Sequence, residues 1–203
     1  ETVNSDSSTA LYNRATQGKY APGSVFKIFT ALEYYSENTK GYEDYRYDCN
    51  GSITVDGKTI HCAGNHRHGT QDLEASFANS CNSSFANIAL TLNRNKFKEL
   101  CDSMLFNKSL PIAFDSSKSS FSLSKSDTTG MVMETGIGQG KTLVSPLHMM
   151  LVASAIDNDG TLMTPYMVDH TQNAAGVTVK TNEAKEYGAL MTEKEAQLLQ
   201  KYM

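Results

Sequence analysis

No stretch of this 203-residue chain approaches the ~18 to 20 consecutive apolar residues of a membrane span, so these residues are expected to be soluble, with membrane attachment made only by a segment outside them. Lysine and arginine form no run, and 18 basic against 22 acidic side chains leave a net charge of -4. That distribution gives no footprint for nucleic acid. The first residues, Glu1 to Thr9, are polar and hold no apolar core, so no secretory signal is present. An exported protein would carry its targeting segment elsewhere. No internal repeat is apparent. A phosphate-binding loop is also missing, although Gly136-Ile137-Gly138-Gln139-Gly140-Lys141-Thr142 invites one. Such a loop ending at Gly140-Lys141-Thr142 needs glycine at position 135, which is Thr135, and the segment meets Ser145-Pro146 where a helix should already run.

Zinc-type cysteine pairs are likewise absent. The four cysteines stand at 49, 62, 81 and 101, and His61, His66 and His68 cluster near Cys62 without matching any paired-ligand spacing. Surface loop histidines are the plainer reading, and neither metal nor cofactor is expected. Cys49 and Cys62 flank an expected hairpin, with Tyr45 to Cys49 and Lys58 to Cys62 as its strands around Asn50-Gly51 and Asp56-Gly57. As cross-strand neighbours they could form a disulfide if their Cα atoms lie within roughly 7 Å.

What is present is a run of helical patterns long enough to bury one substantial core. Apolar residues at 25, 26, 28, 29, 31 and 32 predict a central helix over Ser24 to Tyr35. A long connection follows from 36 to 72. Asp72 caps a second helical run predicted from Leu73 through Leu92, and Lys96 to Leu105 reads as a short amphipathic helix. Asn107 to Thr129 is Ser-rich and loop-like. Leu147 to Ile156 is strongly apolar and helical, Thr161 to Asp169 reads as extended, and Thr192 to Met203 is again helical.

Chemistry is concentrated at Pro22-Gly23-Ser24-Val25-Phe26-Lys27. A Pro-Gly turn opening onto an apolar helix puts Ser24 in the first turn and Lys27 three residues later on the same face. A serine hydroxyl needs a neighbour to take its proton, and a lysine desolvated against apolar residues does so. The helix N-terminus adds amide N–H groups where negative charge would develop. Downstream, Ser80-Cys81-Asn82 supplies an asparagine carbonyl to orient Lys27 without neutralising it, and a second hydroxyl, Ser80, to carry a proton.

These residues resemble the transpeptidase domain of penicillin-binding proteins, of the class B, penicillin-binding protein A type. Pro22-Gly23-Ser24-Val25-Phe26-Lys27, Ser80-Cys81-Asn82-Ser83-Ser84-Phe85 and Ile137-Gly138-Gln139-Gly140 leading to Ser145-Pro146-Leu147-His148-Met149 follow that family's order. Leu11 to Thr16 and Gly160 to Tyr166 look like the same family, so the resemblance covers almost the whole chain from Leu11 onward. It implies an α+β fold of the β-lactamase/transpeptidase type, this chain being mainly the helical subdomain with a small hairpin and few strands. It implies a D-alanyl-D-alanine transpeptidase of the bacterial cell wall, acting on peptidoglycan stem peptides ending in D-Ala-D-Ala on the extracytoplasmic face of the membrane. β-Lactam antibiotics would acylate the same serine. By this resemblance Ser24 is the nucleophile, Lys27 the base, Ser80 the proton relay to the departing nitrogen and Asn82 the residue that orients Lys27 and touches the substrate amide. A β-lactam sensor domain and a serine β-lactamase are the alternatives.

One family motif is missing. No Lys-Thr-Gly occurs: Lys141-Thr142 precedes Leu143, and Lys180-Thr181 precedes Asn182. The expectation is a partial domain over residues 1 to 203, lacking N-terminal and C-terminal strands of the family's sheet. Such a chain is expected to be weakly active or inactive alone, and to expose an apolar helix face that normally packs on that sheet.

Overall fold

The computed structural model describes residues 11–203; the polar lead Glu1 to Thr9 lies outside the described residues. Pro22 and Gly23 start a tight 3-10 turn, Gly23–Phe26, that runs directly into helix α1 (Lys27–Glu37). The wide apolar pattern of this segment has its expected result. Phe26, Phe29, Ala31 and Leu32 are fully buried, and Phe26 and Phe29 join Phe97, Phe106 and Phe121 in one aromatic cluster with centroid spacings of 5.0 to 6.0 Å. The turn that carries Ser24 therefore stands on the densest part of the core.

The long connection holds strands β1 (Tyr47–Cys49), β2 (Ser52–Val55), β3 (Lys58–His61) and β4 (Gly69–Gln71). The expected hairpin is wrong in its pairing. β2 pairs with β3 around Asp56-Gly57, whereas β1 pairs with β4. Asp56 and Gly57 both have positive φ, the requirement of a two-residue hairpin turn, so the tight Asp-Gly loop captures the two strands beside it.

The single helix expected from Leu73 to Leu92 is two. Helix α2 (Leu73–Ala78), capped by Asp72 as the sequence predicts, is separated from α3 (Asn82–Thr91) by Asn79-Ser80-Cys81. Ser80 sits at φ 48° and Cys81 caps α3. Neither proline nor glycine marks this break. Helix α4 (Arg94–Ser103) starts at an Asn93 cap, and residues 107 to 128 contain no helix, as the serine-rich composition suggests.

Helix α5 (Thr129–Gly136) was not foreseen; it packs mainly on α3, with Gly136 against Ala89. The glycine-rich segment after it meets the turn that carries Ser24. Gly23 N–H donates to Gly138 O at 2.8 Å, and Gly138, at φ 73°, has no room for a β-carbon against Gly23 O and Phe26. Helix α6 (Pro146–Asp157) opens at a Ser145 cap. Only Thr161–Met163, β5, is a strand of the longer extended segment expected there, and it pairs with β8 (Glu186–Ala189). Between them β6 (His170–Gln172) and β7 (Thr178–Thr181) form an exposed hairpin. The closing helix α7 (Glu193–Tyr202) begins with a Thr192–Glu195 capping box and packs on α6 and α1.

Among the described residues the strands form four separate antiparallel pairs. None of the helices is long and apolar enough to cross a membrane. The expected exposed apolar helix face is not on α1, whose residues Lys27 to Glu33 are all buried. Among the described residues, exposed apolar side chains include Val25 and Met203 beside Ser24, Met150 on α6, and Met167, Val168, Val177 and Val179 on or next to the β6–β7 arm.

Candidate active site

Ser24, Lys27, Ser80 and Asn82 converge although they come from the turn before α1, the start of α1, and the α2–α3 break. Lys27 Nζ donates to Ser80 O at 2.6 Å, Asn82 Oδ1 at 2.7 Å and Ser80 Oγ at 2.9 Å, and lies 3.2 Å from Ser24 Oγ. Ser80 Oγ is 2.8 Å from Ser24 Oγ. The left-handed Ser80 produces this arrangement, because a continuous helix could not offer both the Ser80 carbonyl and the side chains of Ser80 and Asn82 to one ammonium group. Asn82 is fixed in turn by donating its Nδ2 to His61 O at 3.0 Å.

Burial decides the protonation of Lys27. Its side chain is 2% exposed, and Phe85 lies 5.5 Å from the ammonium. Desolvation lowers its pKa from 10.5 to about 8, opposed by the nearby Cys81 and Cys62. A lysine this close to neutral pH is a usable base. When neutral it keeps two N–H bonds, and two of its neighbours, Ser80 O and Asn82 Oδ1, are carbonyl oxygens that only accept. Those two bonds leave the lone pair for the hydroxyls of Ser80 and Ser24.

An open groove of about 500 Å³ runs beside Ser24, lined by Val25, Ile28, Phe77, Ser80, Tyr202 and Met203 among others. Its lining joins apolar side chains to the hydroxyls of Ser24 and Ser80, a composition suited to a peptide-like ligand.

The cysteines form a second cluster that the sequence did not reveal. All four cysteines are free, and Cys49, Cys62 and Cys81 meet in one buried group with His68. Cys49 and Cys62 are not cross-strand partners, because Cys49 ends β1, which pairs with β4, and Cys62 follows β3, which pairs with β2. His61 and His66 stay exposed at the surface. The buried His148 of α6 is a core group: Nε2 bonds Met104 O at 2.7 Å, and burial lowers its pKa.

The chain is similar to known proteins in sequence and in fold. The family model described as the penicillin-binding protein transpeptidase domain matches residues 1–203. The peptidoglycan D,D-transpeptidase PbpA of Mycolicibacterium smegmatis is 26% identical over 196 residues, 92% of this chain and 38% of that protein. Stage V sporulation protein D of Bacillus subtilis is 33% identical over 165 residues, 78% of this chain and 25% of that one. Among solved structures, the D,D-transpeptidase domain of a peptidoglycan glycosyltransferase from Eggerthella lenta superposes with TM-score 0.86 at 22% identity, covering 97% of this chain and 50% of its own. An imipenem acyl-enzyme complex of penicillin-binding protein A from M. tuberculosis gives TM-score 0.85 at 21% identity, with 95% and 45% covered. The chain thus spans half or less of each of these relatives.

Proposed function

We infer the chemistry of this chain from one premise: it belongs to the penicillin-binding protein transpeptidase family. The reading is a D,D-transpeptidase that acylates Ser24 with a peptidoglycan stem peptide ending in D-Ala-D-Ala, releases the terminal D-alanine, and passes the acyl group to an amine of a neighbouring strand. The observation that carries it is the contact of Lys27 Nζ with Ser24, Ser80 and Asn82 within 3.2 Å.

Ser24 Oγ attacks the carbonyl of the penultimate D-alanine as its proton passes to Lys27. Two routes lead there, a direct one of 3.2 Å and one through Ser80 with steps of 2.8 and 2.9 Å. The shorter steps favour Ser80 as the intermediate hydroxyl. On collapse of the tetrahedral intermediate, Lys27 and Ser80 return the proton to the departing D-alanine nitrogen, and the carbonyl–nitrogen bond breaks. Asn82 keeps Lys27 in place throughout. The amides of the turn at Ser24 supply part of the stabilisation of the oxyanion.

The partial-domain reading belongs to the same proposal. The sequence holds no Lys-Thr-Gly, so the group that anchors the substrate carboxylate beside Ser24 comes from outside residues 1 to 203. The groove at Val25, Ile28 and Met203 is where that element would close the site. The whole protein works on the extracytoplasmic face of the cell membrane, and β-lactams acylate Ser24. Labelled penicillin tests this on the whole polypeptide that carries the chain, beside a Ser24→Ala variant. Long-lived label lost in the variant supports the reading; rapid hydrolytic turnover favours a β-lactamase, and label independent of Ser24 overturns the assignment.

A further inference from the structure

We propose that Cys49, Cys62, His68 and Cys81 bind a zinc-class divalent metal ion, which ties the Ser80–Asn82 break to the β2–β3 hairpin. The four ligand atoms lie within 4.8 Å of one another, and Cys49, Cys62 and Cys81 are at most 3% exposed. Cys49 Sγ and Cys62 Sγ are 3.7 Å apart, as are Cys62 Sγ and Cys81 Sγ, and His68 Nδ1 is 3.3 Å from Cys49 Sγ. A tetrahedral zinc with bonds of about 2.3 Å to sulfur has ligand edges of about 3.8 Å. The two sulfur–sulfur spacings of 3.7 Å match such edges.

The surroundings suit thiolates. Ser83 Oγ lies 3.2 Å from Cys49 Sγ and 3.4 Å from both Cys62 Sγ and Cys81 Sγ, so one hydroxyl faces all three sulfurs. Gln71, buried on β4, has an Nε2 without a hydrogen-bond partner. Such outer donors orient and stabilise metal ligands. Three thiolates and an imidazole select zinc over magnesium or calcium, and four protein ligands leave no open position for water, so the ion is structural. On binding, the three thiols release their protons to solvent.

The ligands come from four separated places: the end of β1, the residue after β3, the loop before β4, and the cap of α3. Cys81 stands between Ser80 and Asn82, the two residues that hold Lys27. A metal at this point fixes the left-handed Ser80 from behind. None of its four ligands lines the groove beside Ser24, and the claim about metal does not depend on the transpeptidase reading.

The test is metal content and spectroscopy on the chain purified under reducing conditions. We expect equimolar zinc, and after exchange with cobalt(II) an intense thiolate-to-cobalt charge-transfer band with tetrahedral d–d bands. Cys49→Ala loses the metal, Ser83→Ala weakens it by about 10- to 100-fold, and Cys101→Ala, whose thiol lies in the separate apolar core, retains it. Removing zinc lowers the melting temperature. If Cys49→Ala fails to fold, the cobalt spectrum of the unaltered chain still decides. A chain that holds no zinc and develops no charge-transfer band overturns the proposal, as does a disulfide joining any two of Cys49, Cys62 and Cys81 in the reduced preparation.

Discussion

Lys27 carries two opposed demands, since it must be buried enough to lose its proton near neutral pH and polar enough in its contacts to stay in place. Burial moves its pKa to about 8, and the uncharged acceptors Ser80 O and Asn82 Oδ1 hold it without restoring the charge. Acylation by a β-lactam should therefore rise with pH through a midpoint of about 8 and level off about one pH unit higher, as the ammonium becomes a free amine. Replacing Asn82 by aspartate sets a carboxylate 2.7 Å from the nitrogen. An opposite charge favours the ammonium, so Asn82→Asp should shift the midpoint of the acylation–pH profile upward and slow acylation at pH 7. Stopped-flow acylation rates across pH 6 to 10 (about that range) check both; an unmoved midpoint would show that the titrating group is not Lys27. Ser24 and Lys27 were legible in the sequence because their pairing is local, three residues along one turn. Ser80 and Asn82 were readable only through the first pair, since nothing in Asn79-Ser80-Cys81-Asn82 announces a reversal of φ.

At the scale of elements, the Ser24 turn depends on a glycine from another segment. A β-carbon at Gly138 would overlap Gly23 O and Phe26, and φ 73° disfavours any side chain there. Gly138→Ala should cost about 1 to 3 kcal/mol and lower acylation by displacing Ser24, whereas Gly140→Ala, which meets only Glu134 at 3.7 Å or more, should cost less at equal φ. Thermal melts of the two variants separate crowding from strain. Helix α1 carries a second test. Glu33 is 3% exposed beneath α4, and its pKa is raised to about 8, first by burial and then by Glu37. A carboxyl held protonated in the fold stabilises most at pH below its unfolded value, and that stability is lost as pH rises from about 4.5 toward 8. Glu33→Gln should thus be close to neutral at pH near 5 and raise the melting temperature by several degrees at pH near 8. An equal shift at both pH values would mean that Glu33 does not titrate in this window.

For the whole molecule, most helix positions were legible because burial on one stripe leaves a periodic record, although α5 and the α2–α3 break left none, while strand partners were not, because pairing joins residues whose patterns are identical whichever neighbour they choose. The cysteine cluster was hidden for a related reason. Its ligands at 49, 62, 68 and 81 come one from each of four segments, so no short spacing exists to read. The same contrast between local and distant tethering separates two segments at the surface. The loop 107 to 128 is tied to the body at several points: Ser117 N–H bonds Thr16 O, Ser120 pairs with Leu143, and Arg94 Nη1 donates to the carbonyls of Ser124, Lys125 and Asp127. The β6–β7 arm bonds chiefly to itself, with every residue of both strands exposed. Local opening should therefore be easiest in the arm. Limited trypsin digestion is expected to cut at Lys180 and Lys185 before Lys118 or Lys125, all four being exposed. The body should keep its cooperative melt after the cut, because the arm contributes no buried residue between Tyr166 and Lys185. First cleavage in the 107 to 128 loop would mean that its tethers open more readily than the arm's own strand pairing.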